Sequence, residues 1–235
     1  MRKILIANWK LNPDELEEAR DLAKATDIEG VVICPPIVFL EEVGSVLQKA
    51  TLGSQDIFFK DEGAYTGEIS PTQLKDLNVK YAIVGHSERR QYQNETDELI
   101  NKKVKAALDT NITPVLCVGE SLETHNEGLD ATKAFIKHQL DTDLKGVEGE
   151  LIVAYEPIWA IGKDKADDPE EAAQIIEYIK EEIGGDKKVI YGGSVDSKNV
   201  QSFLDQQNID GFLVGGASLK LEEFNKIADI ASSGA

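Results

Sequence analysis

The stretch Leu151-Ile152-Val153-Ala154-Tyr155-Glu156-Pro157-Ile158-Trp159-Ala160-Ile161-Gly162 joins two apolar segments across one carboxylate. Leu151 to Tyr155 reads as a strand buried on both faces. Glu156 follows where the apolar run stops, because an unpaired carboxylate is costly to bury. Pro157 steers the residue before it away from helix and stiffens the chain's exit. The segment 158–162 is a loop, yet it is almost wholly apolar, whereas loops usually meet water. Two readings stand side by side. Glu156 is a base under an apolar lid that excludes water, or it is a solvated glutamate beside a tucked loop.

Working outward, seven more strand-like runs appear: Ile4 to Ala7, Val31 to Cys34, Thr51 to Ser54, Tyr81 to Val84, Pro114 to Val118, Val189 to Tyr191 and Gly211 to Val214. Helical spacing fills the intervals, as in Pro13 to Thr26, Glu95 to Asp109, Pro169 to Ile183 and Leu221 to Ala231. Start signals are Asp14-Glu15 after Pro13, Asp168 before Pro169-Glu170, and Asp196 ahead of Asn199-Val200. Strand and helix alternate eight times with no linker or composition break, which predicts a parallel sheet with crossover helices. Eight units in 235 residues fit one closed (β/α)8 barrel domain over 1–235 more economically than a doubly wound sheet.

Composition bounds the function. The chain is 41% hydrophobic, with no apolar run near the roughly 20 residues of a membrane span. Its first residues are too short an apolar run for a signal peptide. Cys34 and Cys117 lie in strand-like runs, where free thiols pack as small hydrophobes, so a reducing, cytoplasmic location is expected. A net charge of −18 argues against nucleic acid and anionic membranes as partners. Most acidic residues are expected on a solvated outer face. An anionic ligand would need local attraction, from a lysine or helix N-termini.

In such a barrel the chemistry lies at the C-terminal strand ends. Those ends carry Asn8-Trp9-Lys10, Gln55-Asp56, Gly85-His86-Ser87-Glu88, Gly119-Glu120, Glu156-Pro157, Gly192-Gly193-Ser194 and Gly215-Gly216, while the opposite connections are plain turns. Lys10 at this mouth suits an anionic substrate. His86 precedes a turn of helix for which Ser87 is the expected cap, and a helix N-terminus disfavours a proton on the ring. A neutral imidazole can donate to a carbonyl or enediolate oxygen; a structural histidine is the alternative. His125 and His138 read as surface residues. No second histidine or cysteine stands at ligand spacing to His86, so no metal is expected.

The Gly-Gly turns after the seventh and eighth strands match no dinucleotide or Walker pattern, but occupy the places where barrels of this kind hold phosphate with backbone N–H groups. Asp61 to Ser70, with Tyr65, Thr66 and Gly67 at its centre, is either a floppy surface loop or a protrusion that docks on another subunit.

Together, Ala7-Asn8-Trp9-Lys10, Gly63 to Ser70, Gly85-His86-Ser87-Glu88-Arg89-Arg90, Cys117-Val118-Gly119-Glu120, Ala154 to Gly162, Tyr191-Gly192-Gly193-Ser194 and Leu213 to Leu219 resemble the triosephosphate isomerase family, in family order and over nearly the whole chain. The resemblance implies interconversion of dihydroxyacetone phosphate and D-glyceraldehyde 3-phosphate without a cofactor. It assigns Glu156 as base, and His86 with Asn8 and Lys10 as stabilisers of the enediolate oxygens. Glu88 would pair with Lys10 or assist the relay. Gly162, Ser194, Gly215 and Gly216 would hold the phosphate. Pro157, Ile158, Trp159, Ala160 and Ile161 would form the lid, and the loop from Asp61 to Ser70 would build a homodimer. The pairing of a glutamate base with a neutral histidine is a known property of this family, not a deduction from this sequence.

The chain departs from the family at Lys163-Asp164-Lys165, where Thr-Gly-Lys is common, and at Asp56, where Asn is usual. An alternative reading follows from the first departure: a barrel that binds phosphorylated ligands but catalyses weakly because its hinge is altered. A Schiff-base aldolase or synthase would need a buried lysine, and no candidate is evident.

Overall fold

The computed structural model describes residues 3–161, 167–184 and 186–233. Among them, eight strands close into a barrel in sequence order: β1 Ile4–Asn8, β2 Val31–Cys34, β3 Thr51–Ser54, β4 Tyr81–Val84, β5 Thr113–Val118, β6 Ile152–Tyr155, β7 Lys188–Tyr191 and β8 Gly211–Val214. Every pairing is parallel, and β8 returns to β1 with Leu5 opposite Phe212. The (β/α)8 expectation is met, with strand limits shifted by at most one residue.

Alternation along each strand creates two apolar layers. Ile6, Val32, Cys34, Ile83, Val115, Cys117, Ile152, Ala154, Ile190 and Leu213 fill the barrel interior. Their neighbours in sequence, such as Leu5, Ala7, Val153, Tyr155, Val189 and Phe212, pack outward against the helices. The two cysteines are free and buried. Among the described residues no helix is long and apolar enough to cross a membrane.

This period of two also places the mouth of the barrel. Asn8 and Lys10 continue the inward parity of Ile6, Glu156 that of Ala154, Gly192 that of Ile190, and Gly215 that of Leu213.

Helix starts required two corrections. The first helix runs Leu16–Ala25, not from Pro13: Asp14-Glu15 supplies no side-chain cap bond. The helix expected from Glu95 begins at Asp97, because Thr96 caps it by accepting from the Leu99 N–H. Asp168 does cap Pro169–Ile183, accepting from the Glu170 and Glu171 N–H groups. Asp196 accepts from the Lys198 and Asn199 N–H groups ahead of Val200–Leu204.

Candidate active site

A cleft of about 600 Å³ opens at the C-terminal end of the barrel, lined among others by Asn8, Lys10, His86, Glu156, Ile161, Ser194, Gly215 and Gly216. Asn8, Lys10, His86, Glu156, Ser194, Gly215 and Gly216 thus meet in one place with Ile161, and Glu88 joins them through Lys10, whereas Pro157 to Ala160 and Tyr65 to Gly67 do not line the cleft. Gly162 and the hinge Lys163-Asp164-Lys165 lie outside the described residues.

His86 breaks the strand parity and is delivered by a turn instead. Gly85 adopts φ +72, a left-handed conformation that glycine tolerates at no steric cost. The expected cap Ser87 is in fact the first residue of the helix Ser87–Gln93; His86 itself is the cap, its Nδ1 accepting from the Glu88 N–H at 3.2 Å. An Nδ1 that accepts carries no proton, so this bond selects the Nε2–H tautomer. Nε2 lies 3.0 Å from Glu156 Oε1.

Glu156 is 2% exposed. Its Oε2 accepts from the Ser87 N–H at 3.0 Å, whereas Oε1 has no aligned hydrogen-bond donor. Burial penalises its charge, but His86, the Ser87 N–H and Lys10 outweigh that, and its pKa lies below the usual carboxylate value. Burial lowers the pKa of His86, but the facing Glu156 carboxylate overcomes this and displaces it upward. Two constraints therefore oppose each other on the ring: an ionised neighbour that favours a second proton, and a backbone donor that occupies the nitrogen to which it would bind.

Lys10 holds φ 54, a strained conformation for a side-chain-bearing residue, and its N–H donates to Asn8 Oδ1 at 3.0 Å. Its Nζ bonds Glu88 Oε1 at 2.6 Å. Gln55 fixes this bend by donating to the Lys10 and Cys34 carbonyls, both at 2.9 Å.

The glycine turns divide by cause. A Cβ on Gly192 would stand 2.9 Å from Glu156 Cγ, and one on Gly193 only 2.2 Å from the Tyr191 hydroxyl. These two glycines make room for protein atoms on the cleft wall. A Cβ on Gly216 would meet nothing within 4 Å, so that backbone faces open space. The N–H groups of Ser194 and Gly216 donate to no acceptor among the described residues.

Pro157 leads into a 3₁₀ turn at Ile158–Ala160 with Ala160 buried. Trp159 donates its indole N–H to Glu120 Oε1 at 2.7 Å, and the Tyr155 hydroxyl donates to the same oxygen at 3.3 Å. His125, expected on the surface, is half-buried with its ring tilted against Trp159 at 4.1 Å between ring centroids.

Sequence reasoning missed the buried charges. Lys103, 2% exposed, bridges Asp56 at 2.6 Å and Glu95 at 2.5 Å, and Arg89 bonds the same two carboxylates. A buried lysine therefore exists, contrary to expectation, but it lies on an outer helix and is fully paired. Asp56, the departure from Asn, belongs to this network. Arg90 ties the Gly85 and Cys117 carbonyls to Asp97 and Asp143.

A closed parallel barrel with a buried carboxylate, an imidazole and an ammonium at its C-terminal mouth defines a barrel enzyme equipped to move protons on a small anionic substrate. A profile described as triosephosphate isomerase matches residues 3–231. The curated triosephosphate isomerase of Dictyoglomus turgidum is 43% identical over 243 aligned positions, covering 95% of this chain and 97% of that protein. Those of Caldanaerobacter subterraneus and Carboxydothermus hydrogenoformans are each 44% identical over 248 positions; each alignment covers 97% of this chain, and 99% and 98% of those proteins respectively. The chain belongs to the triosephosphate isomerase family.

Proposed function

We propose that the chain interconverts dihydroxyacetone phosphate and D-glyceraldehyde 3-phosphate through an enediolate, with Glu156 as the base. The single observation that carries this reading is the Glu156 carboxylate. It is buried and ionised, with Oε1 unaligned to any donor and His86 Nε2 at 3.0 Å. Glu156 takes the proton from C1 of the ketone as the C2 carbonyl becomes an oxyanion; the C1 hydroxyl proton passes to the C2 oxygen, and returning the carbon-bound proton to C2 leaves the aldehyde at C1. His86 donates from Nε2 to the substrate oxygens, with Asn8 and Lys10 beside it. The ionised Glu156 is what raises the His86 pKa. Once Glu156 carries the substrate's proton that cause vanishes, leaving burial and Lys10 acting downward against Glu88 alone, while the Glu88 N–H still occupies Nδ1.

Ser194, Gly215 and Gly216 hold the phosphate, a role supported by the undonated N–H groups of Ser194 and Gly216 on the cleft wall. Glu88 positions Lys10. The segment from Pro157 to Ile161 is the lid. Pairing of β1 with β8 supports reading 1–235 as one domain, and two buried free thiols support a cytoplasmic location.

A homodimer is supported by exposed apolar side chains. Leu11 is 89% and Val38 78% exposed, and they border an apolar hollow of about 200 Å³ with Ile37 and Ile69. The loop carrying Tyr65, Thr66 and Gly67 is the projection that would fill it in a partner.

A coupled isomerase assay tests the assignment: Glu156→Gln abolishes turnover and Glu156→Asp lowers it sharply. Full activity in both variants rules out Glu156 as the base. Phosphoglycolate binding by the wild type without turnover would favour the weakly catalytic alternative.

A further inference from the structure

The 158–161 segment does not lie over the cleft. Ile161 reaches the cleft wall, Ile158 faces a separate outer groove beside Gly119 and Gln139, and Trp159 is held away by Glu120. For the segment to cover a substrate, as the lid reading above requires, the Trp159 contacts have to break. One of these contacts has no role in the chemistry derived so far. The His125 ring lies on the indole at an interplanar angle of 31°, and its Nδ1 stands 3.8 Å from Glu120 Oε1 and 3.7 Å from Glu171 Oε1.

The surroundings give that imidazole a particular task. Glu120 is fully buried, and its Oε2 has no hydrogen-bond partner. Asp167, the first described residue after 161, is 4% exposed with Oδ2 equally unpartnered. Burial, then Glu171, with Glu120 and Asp168 adding, pushes its pKa up to about 7. Asp168 is engaged by helix N–H groups. The remaining titratable neighbours are the Tyr155 hydroxyl on Glu120 and the Tyr191 hydroxyl, which accepts from the Asp167 N–H at 3.4 Å. Among the described residues, no lysine or arginine comes within ion-pair distance of Glu120, Asp167 or Glu171; His125 does so for two of them.

We propose that His125 is a positioning residue for the reaction: it holds the Trp159 turn in its outward posture by covering the indole and by setting its Nδ1 between the Glu120 and Glu171 carboxylates. Removing the brace makes it easier for the turn to leave for the cleft. An aromatic contact of this kind sets the effect at about threefold to tenfold in ligand affinity.

The test uses the full chain with 2-phosphoglycolate as probe. His125→Gln is expected to bind it about threefold to tenfold more tightly, with KM falling likewise and kcat not rising. His125→Phe, which keeps a ring on the indole but has no nitrogen facing Glu120 and Glu171, falls between. Tryptophan emission supplies a second readout, since Trp159 has only Trp9 for company and Trp9 is common to all variants. At fixed pH His125→Gln is expected to shift the emission from that of the wild type, because the indole is no longer covered, and His125→Phe is expected to shift it less. Unchanged or weaker phosphoglycolate binding in both variants, or wild-type emission in His125→Gln, overturns the brace. Wild-type emission that ignores saturating phosphoglycolate overturns the lid reading itself, and the brace with it.

Discussion

Gly192→Ala isolates how tightly the base is seated. An added Cβ would lie 2.9 Å from Glu156 Cγ and 3.3 Å from the Tyr155 carbonyl oxygen. Carbon atoms rest comfortably at about 3.5–4.0 Å, so the glutamate side chain has to yield by about 0.6–1 Å. The carbonyl blocks retreat of the new methyl toward β6, and Gly192 is not among the left-handed glycines, so backbone strain does not enter. A displacement of that size moves both carboxylate oxygens off His86 Nε2 and the Ser87 N–H. Misplacing a reacting group by about 1 Å costs on the order of 100-fold, or about 2.7 kcal/mol in the barrier. The coupled isomerase assay is therefore expected to show kcat lowered about 30- to 100-fold with KM changed less than about threefold, in a protein that melts near wild type. A folded variant with kcat within about threefold of wild type would refute the claim that this carboxylate's position limits turnover.

Other substitutions probe other parts of the account. Lys103→Met strands Asp56 and Glu95 with Arg89 alone, which costs about 3–5 kcal/mol in urea unfolding at pH 7, partly recovered by adding Asp56→Asn; a loss below about 1 kcal/mol would contradict the buried network. Asp167 has a folded pKa of about 7 against an ordinary 3.8, so the folded chain holds a proton that the unfolded chain releases, and stability falls as pH rises through that window. Asp167→Asn is thus expected to stabilise by about 1–4 kcal/mol at pH 8 and hardly at all near pH 4, and equal effects at both pH values would refute it. Val38→Glu places a charge on the exposed apolar rim, so light scattering should show a dimer for wild type and a monomer for the variant; a wild type that is monomeric at micromolar concentration rejects the assembly.

The barrel was legible because its signal is repeated. Eight apolar runs and eight intervening helical segments leave few topologies, whereas strands that are apolar on both faces carry no alternation in sequence, so the inward parity of Asn8, Lys10 and Glu156 emerged only with the barrel. His86 was legible as a candidate but not as a cap, since imidazole caps are uncommon and Ser87 competes for the role. The buried charges were obscured by composition: in a chain of net charge −18, one more acid reads as surface. A local signal did exist. Lys103 shares a helix face with Ile100, Val104 and Ala107, and Asp143 shares one with Ile136, Gln139 and Leu140. A charged residue on the apolar stripe of an outer helix announces a buried partner, but Asp56 for Lys103 and Arg90 for Asp143 lie about fifty residues away in sequence. For the same reason His125 was misread, because Trp159 and Glu171 reach it only in three dimensions.

The role of Glu156 is tested most directly by incubating dihydroxyacetone phosphate with the enzyme in D2O and following C1 by NMR. Wild type is expected to wash deuterium into C1, while Glu156→Gln leaves the carbon protonated yet still binds 2-phosphoglycolate. Deuterium uptake at the wild-type rate in the Glu156→Gln protein would show that another group removes the proton.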